Sequence, residues 1–231
     1  LQPLDHHLAW FAPGLLTHAA NVAPDIVLCM GRMANCHAGS LQNHLAKKHP
    51  RAFVISTMRT GKKLPALFRR SLQRVRHVVA NSRVSAQILT ADYGVPADKI
   101  SVIHNALVFA PSDDSAVVAN NRAALRARFG ATEKTIVLLC VAMFRPEKNQ
   151  RELIELATQL PRDRDWQLWL GGEGVARGDC EALVDQKKLT DRVKFTGFQA
   201  DPRPLYHAAD IATLTSRSES LSNFLIEAHA H

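Results

Sequence analysis

Short apolar runs alternate with helix-like segments along almost the whole chain, and this alternation is the strongest constraint on its fold. The runs are rich in Val, Ile and Leu, which is typical of strands that are buried on both faces. Because helical segments separate them, successive strands must lie parallel in a sheet covered by helices. We predict strands at residues 25–30, 53–57, 77–80, 101–104, 135–141, 166–170, 192–196 and 210–215.

The alternation is interrupted at residues 106–121, where Pro, Ser, Asp and Asn cluster. Such a composition is typical of a linker, and a helix is expected to follow it from about Arg122. The linker divides the chain into an N-terminal domain, residues 1–108, and a C-terminal domain, residues 109–231. The prediction is therefore an α/β fold of two Rossmann-like domains that face a cleft.

Positive charge is concentrated in the first half of this chain, whose formal net charge is +8. Residues 26–91 contain no Asp or Glu, so this stretch attracts polyanions such as nucleic acid, anionic lipid headgroups or a phosphorylated substrate. A solvated basic face is the alternative interpretation. The basic residues of the stretch are Arg32, Lys47, Lys48, Arg51, Arg59, Lys62, Lys63, Arg69, Arg70, Arg74, Arg76 and Arg83.

The sequence indicates no disulfide framework, metal site or membrane span. Its four cysteines form no C-x-x-C pair, which favours free, buried thiols in a reducing compartment. Its histidines form no H-E-x-x-H or similar ligand spacing, so no metal is expected. The apolar runs are all far shorter than the 18 or more residues typical of a spanning helix.

Two carboxylates near the end of the chain suggest a ligand site. The strand at 210–215 ends in a polar turn that contains Glu219, and a helix predicted at 221–230 contains Glu227. The start of such a helix presents N–H groups and the positive end of its dipole, where phosphates bind. Carboxylates on both sides of a diphosphate could hold hydroxyl groups, so this spacing suggests a nucleotide-sugar site. Two solvated surface carboxylates are the alternative.

Further candidates follow other strands of the C-terminal domain. Arg145 and Lys148 come after the strand at 135–141, and open α/β sheets bind ligands at the carboxyl ends of their strands. Two cations there would neutralise a diphosphate leaving group, as a metal does elsewhere. A glycine turn follows the next strand and would let the backbone approach a ligand: Gly171, Gly172 and Gly174.

An ordered set of segments resembles the group 1, family 4 glycosyltransferases, which have the two-Rossmann fold called GT-B. The resemblance covers residues 77–231 strongly and 1–76 loosely. It rests on segments 79–82, 94–105, 141–149, 170–174, 191–197, 206–211 and 219–227.

The resemblance implies a retaining, metal-independent enzyme that uses a nucleotide-diphosphate sugar as donor substrate and needs no cofactor. It implies that Glu219 holds hydroxyls of the donor sugar, that Glu227 holds the ribose hydroxyls and that Phe198 lies near the base. Phosphate-binding backbone amides are expected from a run of four residues: Ser220, Leu221, Ser222 and Asn223.

The sequence also departs from the family pattern. Arginine is common at the position of Met143 and glycine at that of Ala106, whereas Arg59 stands where a histidine beside glycine is common. No catalytic base is therefore named. Relatives also begin with a strand and glycine-rich loop and continue past the helix of Glu227, so we expect both domains to be incomplete at the chain ends.

The expected partners are a nucleotide-sugar donor, a glycan or lipid-linked acceptor and an anionic membrane surface, in cell-surface polysaccharide synthesis. The protein is expected in the cytoplasm, associated with the inner face of the plasma membrane. An epimerase of the same fold is one alternative function, and nucleic-acid binding through residues 26–91 is another. Because Phe53 and Phe68 are the only Phe, Tyr or Trp residues of that stretch, stacking platforms are lacking and no nucleic-acid partner is expected.

Overall fold

The computed structural model of the protein describes residues 14–59, 63–107 and 114–231. The chain divides into two compact units, Leu1–Asn105 (unit 1) and Ala106–His231 (unit 2). Each unit has its own parallel sheet and its own hydrophobic core. The prediction of an α/β fold with two parallel sheets is confirmed.

Unit 1 contains, in its described part, four parallel strands in the spatial order β1-β2-β3-β4. Local chemistry sets several element ends: the Ser82 hydroxyl, for example, caps α4 by accepting a hydrogen bond of 3.0 Å from the Ser85 N–H. The elements are α1 (Leu15–Val22), β1 (Ile26–Cys29), α2 (Gly31–Lys48), β2 (Phe53–Met58), α3 (Ala66–Leu72), β3 (His77–Ala80), α4 (Arg83–Ala91) and β4 (Ile100–Val102).

Helices α2 and α3 approach closely because α2 has a glycine at the crossing. A Cβ on Gly39 would lie 2.9 Å from the Ser71 Cα, which is too close for any larger residue without movement. The Gly39 N–H instead donates a hydrogen bond of 2.9 Å to the Ser71 hydroxyl. Buried side chains such as Leu45 and Phe68 complete the core between these helices and the sheet.

Unit 2 contains, among the described residues, four parallel strands in the spatial order β7-β6-β5-β8. Alternate residues of β5 enter two separate cores: Cys140 packs in one, and Val137 and Leu139 in the other, so helices cover both faces. The elements are α5 (Ser115–Phe129), β5 (Ile136–Val141), α6 (Gln150–Ala157), β6 (Trp166–Gly171), α7 (Arg177–Gln186), β7 (Val193–Gly197), α8 (Arg203–Ala208), β8 (Ile211–Ala212) and α9 (Asn223–Ala230).

Helix α5 begins seven residues before the predicted start at Arg122. The Asp114 carboxylate accepts a hydrogen bond of 3.1 Å from the Ala116 N–H, which caps the helix there. Residues 115–121, interpreted above as linker, are therefore helical. Residues 108–113 of the predicted linker lie outside the described residues.

The predicted strand at 210–215 is wrong in length and burial. Strand β8 contains only Ile211 and Ala212, and both are exposed. The strand pairs with β5 and lies at one end of the described sheet order, so it lacks the second neighbour that a buried strand has. Residues 213–222 instead form a long connection that leads into α9.

Candidate active site

The carboxyl edge of the unit 2 sheet collects most of the predicted site residues. Because its strands are parallel, the segments that follow β5, β6, β7 and β8 all emerge at this edge. The chain adds β6 and β7 on one side of β5 and then returns to place β8 on the other side. The boundary between β5 and β8 is thus a topological switch point, where open α/β sheets have a ligand-binding crevice.

Lys148 and Glu219 meet across this switch point. The Lys148 Nζ lies 2.5 Å from the Glu219 Oε1, and both side chains are only partly exposed, at 29% and 25%. Lys148 belongs to the segment after β5 and Glu219 to the segment after β8. The fold therefore brings together two predicted site residues, the cation for the diphosphate and the carboxylate for the donor sugar, that are 71 positions apart in the chain.

Hydrogen bonds join the two segments that carry this ion pair. The Arg217 N–H donates to the Glu147 carbonyl over 2.9 Å. The Thr215 hydroxyl donates to the Asn149 carbonyl, also over 2.9 Å. These contacts hold both backbones in place, so the ion pair is supported by a preformed frame.

Helix α9 begins beside the ion pair, with Ser222 as its N-cap residue. The predicted start at Leu221 is two residues too early, because the Ser222 hydroxyl accepts from the Leu225 N–H at 3.4 Å. Ser220 and Leu221 lie in the turn before the helix, and Asn223 is its first residue. The first N–H groups of any α-helix lack intrahelical acceptors, so this end carries positive potential toward the switch point.

Glu227 has a partner that the sequence analysis did not identify. The Tyr206 hydroxyl, on α8, donates a hydrogen bond of 2.5 Å to the Glu227 Oε2. Burial, together with the neighbouring Glu227 carboxylate, raises the pKa of Tyr206 above its usual range, so the phenol stays protonated. Tyr206 belongs to a segment that carried the family resemblance, which was the available signal for its importance.

The glycines after β6 pack against the segment after β5. A Cβ on Gly172 would collide with the Ala142 carbonyl, and one on Gly174 with the Phe144 carbonyl. The Phe144 N–H donates to the Glu173 carbonyl over 2.9 Å, which ties the two segments together. Glycine is thus required here by the neighbouring backbone, and contact of Gly172 with a ligand stays a prediction.

Arg145 and Phe198 lie at the same carboxyl edge of the sheet as the ion pair of Lys148 and Glu219. Arg145 is exposed and immediately precedes the short 3-10 helix Pro146–Lys148. Phe198 directly follows β7 and is 73% exposed, which is unusual for an aromatic ring. Since β7 lies two strand positions from β5, Phe198 emerges about 10 Å across the sheet from the segment of Lys148.

The cysteines offer no nucleophile in the described residues. All four are free, as predicted, and three of them are buried. Burial raises the pKa of Cys29 to about 11 and that of Cys140 to about 12, so neither is a thiolate near neutral pH. Within the described ranges, no cluster of three His, Cys, Asp or Glu residues could hold a metal ion.

The basic residues of the stretch 26–91 are solvent-exposed wherever the structure describes them, and Lys62 lies outside the described residues. Helix α3 presents Leu67, which is 47% exposed, beside the exposed cations Arg69 and Arg70. Over residues 14–59, 63–107 and 114–231, no helix is long and apolar enough to cross a membrane.

Each half of the chain matches a known protein family. Residues 121–231 match the family described as glycosyl transferases group 1, and residues 2–108 match glycosyltransferase family 4. Together the two matches include every predicted site residue.

Several curated proteins are similar in sequence. The alpha-D-kanosaminyltransferase of Streptomyces kanamyceticus is 37% identical over 109 residues, covering 46% of this chain and 28% of the relative. The lipopolysaccharide core biosynthesis glycosyltransferase LpsE of Rhizobium meliloti (strain 1021) is 31% identical, covering 46% and 30%. The D-inositol 3-phosphate glycosyltransferase of Mycobacterium sp. (strain KMS) is 30% identical, covering 66% and 35%. The chain thus spans about a third of the length of these relatives.

Solved structures share the fold at low sequence identity. Anabaena Alr3699/HepE in complex with UDP superposes with a TM-score of 0.75 at 20% identity, covering 94% of this chain and 60% of that one. A glycosyltransferase from Rickettsia africae ESF-5 gives 0.73 at 20% identity, covering 94% and 58%. These similarities establish the GT-B fold of the chain.

Proposed function

The chain belongs to the glycosyl transferases of group 1, and on that premise we propose that it transfers a sugar from a nucleotide-diphosphate donor to a glycan or glycolipid acceptor. One observation carries the proposal: the Lys148–Glu219 ion pair spans the switch point of the unit 2 sheet, beside the N-terminus of α9. This is where an open α/β sheet binds an anionic ligand.

The charges of this edge suit a diphosphate. Lys148 supplies a cation at the switch point, and the start of α9 supplies backbone N–H groups around Ser222 and Asn223. Arg145 adds an exposed cation on the same segment as Lys148. As the sugar leaves, negative charge develops on the diphosphate, and fixed positive groups there lower the barrier.

The two carboxylates suit hydroxyl groups on either side of that diphosphate. We assign Glu219 to the donor sugar and Glu227 to the ribose. Glu227 is the fifth residue of α9, so its Cα lies about 6 Å along the axis from the first residue, Asn223. The exposed ring of Phe198 offers a stacking face for the base farther along the edge.

Retention of configuration and independence from metal are further parts of the proposal. The family resemblance supports retention, and Lys148 with the α9 terminus supports charge balance without a metal ion. Proton NMR of the product anomer tests the first, and transfer in the presence of EDTA tests the second. An inverted product or full loss of activity with EDTA would contradict them respectively.

For the acceptor, we propose a glycan or lipid-linked glycan in cell-surface polysaccharide synthesis, reached from the cytoplasmic face of the membrane. One similar protein is named for lipopolysaccharide core biosynthesis, which supports this acceptor class. Exposed Leu67 beside Arg69 and Arg70 supports contact with anionic headgroups.

Calorimetric titration of the protein with UDP, GDP and ADP tests the donor site. We expect one nucleotide to bind saturably and Glu227→Ala to weaken it by roughly tenfold or more, since a hydrogen bond to a charged group contributes about 1.5–3 kcal/mol. Glu155→Ala is the matched control, because Glu155 lies on surface helix α6 in an ion pair with Lys187. Failure of the unmodified protein to bind any of the three would contradict the proposal.

A further inference from the structure

Tyr206 contacts Glu227, the residue that we assign to the ribose, and orients its carboxylate. The Tyr206 hydroxyl donates to one oxygen of the Glu227 carboxylate, Oε2, at 2.5 Å. The carboxylate has further acceptor positions, on that oxygen and on Oε1, that a ligand hydroxyl can use. A carboxylate that one donor already holds in place is oriented for a second donor. Ligand binding then costs less conformational entropy, because this side chain is already ordered.

Tyr206 is itself held firmly. Tyr206 is only 7% exposed, and the centroid of its ring lies 6.2 Å from that of the Phe224 ring. Two arginines of α5 bind the C-terminal end of α8, where Arg126 donates to the Ala208 carbonyl over 3.0 Å and Arg122 over 3.3 Å. The phenol therefore has a fixed position relative to α5, and its hydrogen bond holds the Glu227 carboxylate on α9 in a fixed position in turn.

The two carboxylates of the site differ in the charge of their partners. Glu219 pairs with a cation, Lys148, whereas Glu227 pairs with a neutral hydroxyl. The negative charge of Glu227 is thus not neutralised by this contact. Such a carboxylate binds hydrogen-bond donors such as ribose hydroxyls strongly and repels anions.

We propose that Tyr206 is a positioning residue that aims the Glu227 carboxylate at the ribose hydroxyls and so sets the preference of the site for ribonucleotides. This inference rests on the proposed function, because it takes the ligand to be a nucleoside diphosphate. It adds to that function a residue on α8 and a measurable selectivity.

The test compares the affinities of UDP, 2′-deoxy-UDP and 3′-deoxy-UDP for the protein and for Tyr206→Phe, by calorimetry. The same series is measured with ADP or GDP if one of these binds more tightly. We expect the unmodified protein to prefer the ribonucleotide over one deoxy analogue by roughly 10- to 100-fold, the value of a hydrogen bond to a charged group. In Tyr206→Phe we expect this ratio to fall at least several-fold, with a smaller change in affinity for the deoxy analogue.

Tyr93→Phe is the matched control, since Tyr93 is the other tyrosine of the chain and accepts a hydrogen bond from the Leu64 N–H in unit 1. It loses one part-buried phenol hydrogen bond, as Tyr206→Phe does, and is expected to keep the ratio of the unmodified protein. Thermal unfolding of both variants verifies that they are folded.

Each contrary result has a distinct meaning. A ratio unchanged in folded Tyr206→Phe would overturn the role of Tyr206 alone. Absence of any preference for the ribonucleotide in the unmodified protein would overturn the assignment of Glu227 to ribose, and with it this inference. Absence of nucleotide binding would overturn the proposed function itself.

Discussion

Two residues of opposite charge, Lys148 and Glu219, form an ion pair at the switch point, and the proposed donor would have to rearrange it. The Glu219 Oε1 lies 2.5 Å from the Lys148 Nζ and balances its charge. A diphosphate that binds Lys148 competes with that carboxylate and also experiences its repulsion. On the proposed function, we therefore expect Glu219 to favour the sugar part of a donor and to disfavour a bare nucleotide.

The change Glu219→Gln separates these effects. We expect the affinity for the nucleoside diphosphate to rise by about 3- to 10-fold, because one negative charge near the phosphates is removed in a partly exposed site. We expect sugar transfer from the nucleotide-sugar to fall, because the charged acceptor for the sugar hydroxyls is lost. Calorimetry with the nucleotide and a product assay measure the two quantities.

Glu173→Gln provides the control for the removal of one charge at the same edge. Glu173 follows β6 and pairs with Arg177, so Lys148 keeps its partner in this variant. We expect it to leave nucleotide affinity nearly unchanged. Weaker nucleotide binding by Glu219→Gln would contradict the assignment of Lys148 to the diphosphate.

At the level of elements, an ionic network around the buried Arg126 side chain joins α5 to α8 and to Asp210, which directly precedes β8. The Arg126 side chain is only 2% exposed, and its Nη2 lies 2.6 Å from the Asp210 Oδ2. The same oxygen accepts from the Val137 N–H of β5 at 2.8 Å, while Arg122 binds the other oxygen at 2.9 Å. This network fixes both the short strand β8 and the helix that carries Tyr206.

Asp210→Asn is expected to destabilise the protein by about 2–4 kcal/mol at neutral pH, because it leaves the buried Arg126 cation without a counter-charge. Burial alone would raise the pKa of Asp210, but the Val137 N–H and the two arginines outweigh it, so the pKa lies below its usual value. A depressed folded-state pKa stabilises the protein above the unfolded value of about 4, and this contribution disappears as the pH falls through the folded-state pKa. The difference in free energy of unfolding between the two proteins is therefore expected to shrink below about pH 4.

Urea unfolding at neutral pH and at pH values below 4 measures this difference. Asp201→Asn is the control, since the pKa of Asp201 is also lowered, by Arg203, but in a solvent-exposed pair. We expect it to cost less than about 1 kcal/mol. A cost for Asp210→Asn no greater than that of the control would show that the network contributes little to stability.

At the level of the whole molecule, charge is divided unequally between the units. Residues 1–105 contain 13 basic and 4 acidic residues, a net charge of +9, whereas residues 106–231 contain 16 and 17, a net charge of −1. The described cations of the stretch 26–91 are all exposed. If the protein binds an anionic surface, we therefore expect unit 1 to provide the attraction.

The membrane part of the proposal predicts salt-dependent binding to vesicles that contain phosphatidylserine. Each basic residue near an anionic surface contributes about 1 kcal/mol, so Arg69→Glu combined with Arg70→Glu is expected to weaken binding by roughly 30-fold or more. The control reverses two exposed arginines of unit 2, Arg162→Glu with Arg164→Glu, and is expected to have little effect. Co-sedimentation at low and high salt provides the measurement, and binding that does not depend on salt would exclude this surface.

Local sequence determined most elements of this protein. Strand β3 matches its prediction at both ends, and β2 and β5–β7 match theirs to within one residue at each end, because the apolar periodicity of a strand is contained in a few consecutive residues. The placement of Lys148 after β5 and of Glu227 in the final helix follows from the same pattern. Positions after parallel strands must share one edge, so even the grouping of these residues could be predicted.

Only the tertiary structure decided which residues meet. Nothing near Asp210 in the sequence indicates that Arg126 will bind it and that β8 will shorten to two residues beside β5. The contact of Tyr206 with Glu227, 21 positions away, likewise depends on how α8 and α9 pack. Periodicity and capping are properties of neighbouring residues, whereas the choice of partner between distant residues depends on strand order and helix packing, which the whole chain settles together.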